Sequence, residues 1–416
     1  MRLLLFFRTR LVVALLAPAG VVAQSFEIPP VGTDETFNVA TWNIEHFGVE
    51  GEGPSDIELQ FANVLSVMQQ ANVHLWALQE MNSQFTFNNL VAALGDGWAG
   101  FWQPDLTQFS IGYGFIYRTD RVQPIGTPTT ILTNNAYDFA FRPPLQMRAN
   151  LTFPQGNVSN VRFINVHAKC CGGFEDWNRR STASAVLKNY VDNLQAANFP
   201  VLVLGDLNDQ LRTSISSGRP SPYANFRTDT ENYHFGTLSL EDTGVNTFCF
   251  NSTCTSGSTI DHILIGRPLF DAYEENSTAR YDALLTNIPN YINRPNINGT
   301  TSDHVAVYAR FDFFKPVSSD GGTTVEKFGL EAPFPNPFRN EATVVYTLAE
   351  PGTVKLEVFD ALGRRVSLLE NRARPAGRHE ASLSGTALTP GLYLVRLTTS
   401  SPAGDRTATR RLVRLP

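Results

Sequence analysis

From Thr36 to about Phe313 the chain repeats one rhythm: a short run rich in Val, Ile, Leu and Phe closes on polar residues, and a loop or amphipathic stretch follows. FNVATWN, VHLWALQE, YGFIYR, VRFINVHAK, PVLVLGDLND, IDHILIG and DHVAVYARF are such runs, and their alternating or continuous apolar pattern reads as strands. Between them, Ser55 to Gln70 sets Ile57, Phe61, Val64, Leu65 and Met68 at helical spacing. Arg179 to Leu194 does the same with Ala183, Val186, Leu187, Tyr190, Val191 and Leu194. Strands mixed with a few helices bury their apolar faces only in layers, so the expectation is a layered α/β domain over residues 34–315.

After Phe314 the pattern stops. KPVSSDGGTTVEKFG has no apolar period and predicts a linker over 316–330. Beyond it, ATVVYTLA, TVKLEVFD, HEASLSG, GLYLVRLTT and TATRRLVRL are short strands spaced by Pro, Gly and Asn turns, which predicts a small all-β sandwich over 331–416. The two parts differ in charge as well, at +4 for residues 331–416 and −10 for the rest, within a total of −6. Hydrophobic residues at 42% exclude a disordered chain, and only 17% charged residues, against about 25% in ordinary domains, exclude a supercharged nucleic-acid wrapper.

Arg2, Arg8 and Arg10 precede an apolar run from Leu11 to Val22 that ends in the small residue Ala23. This predicts a signal peptide over 1–23, since Pro18 and Gly20 interrupt a run already short of the ~20 residues that a membrane anchor needs. No later stretch reaches spanning length, so no stable membrane span is expected; oligomeric state is not legible. Cys170, Cys171, Cys249 and Cys254 lack zinc-ligand spacing, and in an exported chain they read as disulfide formers. Adjacent Cys170 and Cys171 fit a vicinal bridge or two separate ones, and Cys249 and Cys254 fit a bridge to each other; position alone leaves the pairing open.

The polar residues of the first part fall at strand ends: Asn43, Glu80, His167, Asp206 with Asn208, Asp261, and Asp303 with His304. Strand ends of a layered sheet can converge on one edge. Asn, Glu and Asp oxygens suit a hard cation, with Mg²⁺ the first expectation and Mn²⁺ or Ca²⁺ the alternatives, and two histidines remain for proton transfer or for holding an anion. A hard cation beside such groups is what phosphoester hydrolysis requires.

TWNIEHF, WALQE, INVHAK, LGDLND, IDHIL and SDHVAV resemble, in that order over about 280 residues, the motifs of the endonuclease/exonuclease/phosphatase superfamily. The resemblance implies a four-layer α/β sandwich with a divalent metal at one edge. It implies Asn43 and Glu80 as metal-binding positions and Asp303 as a metal- or water-contacting aspartate. Asp206 would orient or deprotonate the attacking water with Asn208 as its partner, His304 would act backed by Asp261, and His167 would hold or protonate the phosphate. Arg142, in FRPPLQ, and Tyr113, in IGYGFIYR, resemble phosphate-facing residues of the deoxyribonuclease branch. His262 stays unassigned, and His46, His74, His234 and His379 have no supporting pattern. STIDHILI lacks the tryptophan, cysteine and arginine of the inositol polyphosphate phosphatases.

APFPNPF, VFDALGRRV and LTPGLYLVRL resemble the type A sorting domain that the type IX secretion system of Bacteroidota recognises. This implies the type IX machinery as a partner and passage through the periplasm to the medium or the cell surface. The function expected is a secreted, metal-dependent phosphodiesterase acting on extracellular nucleic acid as a nonspecific endonuclease. The alternatives are a phospholipase C-like or small phosphoester hydrolase, and an inactive surface binding protein.

Overall fold

A computed structural model of the chain describes residues 26–107, 111–314, 328–374, 377–386, 388–401 and 404–415. The expected signal peptide and most of the expected linker, 316–327, lie outside the described residues. The chain divides into two compact units, Met1–Pro316 and Val317–Pro416.

Among the described residues of the first unit, one sheet orders its strands Ala279–Arg280, Val307–Phe311, Phe37–Asn43, Leu75–Gln79, Tyr113–Arg118, Trp98–Gln103. The other runs Tyr233–Phe235, Asp261–Gly266, Val201–Asp206, Gly156–His167, Leu145–Phe153, Val122–Pro124, with Thr129–Thr130 beside Leu145–Phe153. The period of two along each central strand sorts its residues between two cores. Phe37, Val39, Leu75 and Ala77 of the first sheet meet Phe163, Leu202, Leu204 and Ile263 of the second. The alternate residues Ala40, Trp42, Trp76 and Leu78 face outward, where helices α1 (Ile57–Gln70) and α2 (Gln84–Leu94) cover them with Val64, Met68, Phe87 and Leu90. On the far side Ile164, Val166, Val201 and Val203 pack under Ala183, Leu187 and Val191 of α3 (Phe174–Ala196). Helix, sheet, sheet, helix is the four-layer sandwich.

Local chemistry moves the helix boundaries from those expected. α1 begins at Ile57 because Asp56 caps it, its Oδ1 accepting from the Leu59 amide at 2.9 Å. α3 begins at Phe174 rather than Arg179, with the Asp176 side chain accepting from the Gly173 amide at its start. α2 was not expected, although Phe87, Leu90, Val91 and Leu94 stand at helical spacing; Phe87 and Leu90 are buried and Val91 and Leu94 pack against the same core. The unit also starts before residue 34: Ile28 and Val31 are buried, their amides donating to Gln70 Oε1 and Ala71 O.

Two buried amides fasten the sheets to each other near one end. Gln79 Nε2 donates to Asn165 Oδ1 at 2.7 Å, and Asn165 Nδ2 donates to the carbonyls of Leu78 and Gly114. Buried polar groups persist when bonded in this way, and here they fix how far one sheet slides over the other.

The second unit is all β. A sheet of Gly329–Leu330, Glu341–Leu348 and Gly377–Ser384 and another of Arg365–Arg374, Gly352–Asp360, Gly391–Ser401 and Gly404–Arg414 enclose Val344, Tyr346, Leu356, Val358, Val395 and Leu397. The linker expected to end at 330 ends sooner, because Leu330 is buried and pairs with Tyr346. The strand Arg365–Arg374 was not expected; apart from the buried Glu370 and the partly buried Leu369, its residues give no apolar period to read. No described helix is long and apolar enough to cross a membrane.

Candidate active site

Strand register builds half of the site. His167 pairs with Asp206 across parallel strands and Asp206 with Asp261 across antiparallel ones, so three functional side chains stand in one row at the end of the second sheet. Gly205 permits this close approach: a side chain there would place its Cβ 1.8 Å from Val166 O. The first sheet brings Asn43 to the same end, and Asn43 Nδ2 donates to Asp206 Oδ2 at 3.1 Å and to Glu80 Oε1 at 3.3 Å, linking the two sheets' chemistry. Ser302 sets the last segment, its hydroxyl donating to Asn43 O while accepting from the His304 amide.

His304 Nδ1 lies 2.8 Å from Asp261 Oδ2, and its Nε2 is 3.9 Å from both Asp206 Oδ2 and Asp303 Oδ1. Burial opposes charge on this ring, but Asp261, Asp206 and Asp303 together hold its pKa well above the ordinary histidine value. His304 is therefore a protonated donor at neutral pH. Asp206 moves oppositely: burial, with Asp261 adding to it, pushes its carboxyl up to about 7 against the pull of His304 and the Asn43 bond. His167 is neutral, its pKa lowered well below 6.5 by burial and then by Arg142 and His304. It is suited to holding a phosphoryl oxygen and unsuited to protonating one.

The more open half gathers carboxylates. Glu80 leaves its strand at φ +58, a left-handed backbone uncommon for a non-glycine residue, and it lies within reach of His167 and His46 at 3.7 and 3.8 Å. Glu45, absent from the sequence-based candidates, joins it. Burial, Asp303 and Glu80 push Glu45 up to about 8, and its buried Oε2 has no protein partner. Asp303 is raised by burial and by Glu80, though Arg294 Nη1 pairs with it at 3.1 Å. An excess of crowded oxygen ligands over cations is the donor set of a hard divalent ion. Asp206, Asp261 and His304 also bring ligand atoms within 4.8 Å of one another. Asp261 Oδ2 is already committed to His304 there, and a nitrogen-containing set suits a softer ion; the oxygen chemistry of Glu45, Glu80 and Asp303 with Asn43 matches Mg²⁺ or Mn²⁺, although their ligand atoms do not all lie within 4.8 Å of one another.

Arg142 is buried beside this centre, its Nε and Nη2 donating to the carbonyls of His167 and Ala168, with Glu80 and Asp206 attracting its charge. Asn208, at φ +52, shares Ala168 O through its Nδ2 and also bonds Asp206. Tyr113 does not face the site as expected. Its ring belongs to the core between the sheets and its hydroxyl donates to Pro143 O at 2.5 Å, so it braces the segment that carries Arg142. His46 is the opposite correction: a residue without a pattern sits against Glu80, its amide donating to Glu80 Oε2 at 3.2 Å. His262 is structural, held between Thr237 Oγ1 and Asp209 O.

Sequence reasoning also missed a buried pair, Arg180 and Asp209, at 2.8 Å with both side chains fully buried. Arg180 Nη1 reaches the carbonyls of Lys169 and Cys171, so the pair ties the loop after His167 to the loop after Asp206. Removing one partner of such a pair costs about 3–5 kcal/mol. Asp209 closes LGDLND and Arg180 lies on the buried stripe of α3, which is the signal that was available; Glu45 likewise lies two residues past Asn43. Cys249 and Cys254 are bridged to each other, and Cys170 and Cys171 are free thiols on the surface.

Residues 40–304 match the model of the Endonuclease/Exonuclease/phosphatase family, and residues 332–413 match a secretion system C-terminal sorting domain. Among solved structures, the human Nocturnin catalytic domain with bound sulfate aligns at 17% identity and TM-score 0.45, over 66% of this chain and 93% of that one. An endonuclease/exonuclease/phosphatase from Beutenbergia cavernae DSM 12333 aligns at 15% identity and TM-score 0.47, over 90% and 99%. A Neisseria 3′ phosphatase, NExo, bound to a product DNA hairpin aligns at 16% and 0.46, over 67% and 100%. No curated protein sequence matches significantly.

Proposed function

The chain belongs to the endonuclease/exonuclease/phosphatase family, whose members hydrolyse phosphoesters, and from that premise we propose that it is an exported, metal-dependent phosphodiesterase that cleaves nucleic acid. The observation that carries the reading is the buried row His167, Asp206, Asp261 with His304 locked onto it. It offers a carboxylate base and a protonated imidazole side by side, with crowded oxygen ligands adjacent.

In this mechanism Asp206, held by Asn43 and Asn208, orients the attacking water and takes its proton. His304, kept protonated and aligned by Asp261, gives a proton to the leaving oxygen. Neutral His167 holds a phosphoryl oxygen, and the Arg142 charge behind it stabilises the negative charge that builds there. A divalent ion held by Glu80, Glu45, Asp303 and Asn43 would supply Lewis-acid polarisation of the phosphate when bound. A polar cleft of about 510 Å³, lined by Glu45, Asn293, Arg294, Asn296 and Asn298, opens from the same place and supports a substrate larger than one phosphate.

The C-terminal sorting domain indicates export, to the medium or the cell surface, and the type IX machinery is its implied partner. The test is nicking of supercoiled plasmid and cleavage of single-stranded DNA and RNA with Mg²⁺ or Mn²⁺. Cleavage abolished by chelator and restored by added ion is the expected result. Hydrolysis of sphingomyelin or small phosphomonoesters with no cut in any nucleic acid would overturn the proposal.

A further inference from the structure

Beyond Arg142 the rim of the site carries rings that a folded chain ordinarily covers. Phe141, next to Arg142 in the chain, is 40% exposed, Tyr137 is 51% and Phe174 is 58%. Tyr137 and Phe141 meet edge to face with centroids 6.0 Å apart, and Phe174 and Trp177, at the start of α3, stack at 5.9 Å. Each pair holds an arginine over it. The Arg179 guanidinium lies 4.1 Å from the Tyr137 ring centre, and that of Arg219 lies 4.5 Å from Phe174 and 5.3 Å from Trp177.

The two clusters form one surface. The Tyr137 hydroxyl donates to Glu175 Oε1, Arg179 Nε donates to Tyr137 O, and Trp177 Nε1 donates to Pro220 O. That surface joins the catalytic centre through the loop after His167, whose first carbonyl, Ala168 O, accepts from Arg142 and Asn208.

Charge tells which occupant fits. A part of net −10 repels polyanions overall, so the position of cations that no carboxylate neutralises matters. Lys169 and Arg180 on either side are neutralised by Asp176 and Asp209. Among the described residues neither Arg179 nor Arg219 has a carboxylate partner; both lie on aromatic faces instead. Rings alone would suit an apolar partner. Rings each paired with a planar cation suit an anionic polymer with flat apolar units, because a base stacks on the ring while its phosphate meets the guanidinium.

We propose that Tyr137, Phe141, Phe174 and Trp177, with Arg179 and Arg219, are a stacking platform for the bases of a single-stranded nucleic acid flanking the scissile phosphate. The platform rests on the nucleic-acid reading above and adds to it a preference for unpaired strands, whose bases are free to stack.

The test compares the full chain with its Phe174→Ala, Arg219→Ala double variant, both side chains being exposed, on a single-stranded oligodeoxynucleotide and on bis(p-nitrophenyl) phosphate, a diester too small to reach the platform. KM for the oligonucleotide should rise about tenfold or more in the variant with kcat within about twofold, because stacking contributes to binding and not to the chemical step. Hydrolysis of the small diester should be unchanged, and Phe174→Trp should keep the wild-type KM. An unchanged oligonucleotide KM overturns the platform, as does an equal loss on both substrates, which would make the surface a brace for the catalytic loop. Loss of binding to phosphatidylglycerol vesicles in the variant, with oligonucleotide KM unmoved, would assign the surface to lipid. A wild-type chain that hydrolyses the small diester but no nucleic acid defeats the parent reading, and is distinguished because that defect precedes any substitution.

Discussion

The C-terminal unit and the catalytic site both bury carboxylates, and they treat them in opposite ways. In the C-terminal unit Glu357 is 3% exposed, and Lys355, Arg365 and Arg396 all reach it; burial opposes its charge, but these cations hold it down at about 2. Glu370 is likewise held low by Tyr346, Arg372 and Arg374. At the catalytic site Asp206 is pushed up to about 7 and Glu45 to about 8, because burial and neighbouring carboxylates outweigh the pull of His304. A buried acid surrounded by cations is a structural fastening. Buried acids crowded together destabilise the fold unless a proton or a metal joins them, which is the mark of a group kept for chemistry.

Substitutions should break along this line. Asp206→Asn or His304→Ala removes a proton carrier and should lower kcat by about 10²- to 10⁴-fold with little change in KM, measured on any substrate the chain cleaves. Either variant keeping near-full activity while folded would refute the assignment. Glu80→Ala should lose less, since it weakens a ligand set and removes no proton carrier, and raised Mn²⁺ or Mg²⁺ should recover most of the rate. His46→Ala, at a residue with no pattern in the sequence, should follow Glu80→Ala in reduced form because its ring adjoins Glu80 while the amide that bonds Glu80 stays in place.

How much of this was legible divides by the range of the interaction. The layered fold and the strand-end candidates were readable because apolar alternation and the polar residue closing each strand are local patterns. Asn43, Glu80, His167, Asp206, Asn208, Asp261, Asp303 and His304 come together because strands must end somewhere, and register puts those ends side by side. Tyr113 was misread since a strand tyrosine looks the same whether its hydroxyl meets a ligand or Pro143 O. The Arg180–Asp209 pair and the placement of His46 depend on contacts between segments 29 and 34 residues apart, which no local pattern reports.

The pH profile sharpens the contrast within the site. Asp206 must be ionised to take a proton, so with its carboxyl near 7 the rate should fall about tenfold per unit as pH drops below that value, and a bound divalent ion would move this limb lower. The alkaline limb belongs to loss of the His304 proton, which its carboxylate neighbours defer well above the usual histidine range. Asp261→Asn removes the first of those carboxylates, so the alkaline limb should move down, and the acid limb should also shift down because Asp261 adds to the rise of Asp206. An alkaline limb unmoved by Asp261→Asn would mean that another group donates the proton.

The smallest effect is expected in the other unit, and it concerns stability alone. Glu357 has a folded pKa of about 2, below its ordinary 4.5, so its contribution is fully present above pH 4.5 and is lost as pH falls toward 2. Its partners Lys355, Arg365 and Arg396 are 44–50% exposed, and water screens much of their attraction, which limits the contribution to about 1–2 kcal/mol. Glu357→Gln should therefore lower the unfolding midpoint of the C-terminal unit modestly at pH 7, and the difference from wild type should shrink as pH is lowered toward 2. Phosphodiester hydrolysis should be untouched, because the residues of the site all lie between Asn43 and His304. A fall in kcat on Glu357→Gln would show that the two units are coupled in function and that the separation drawn here between fastening and chemistry is wrong.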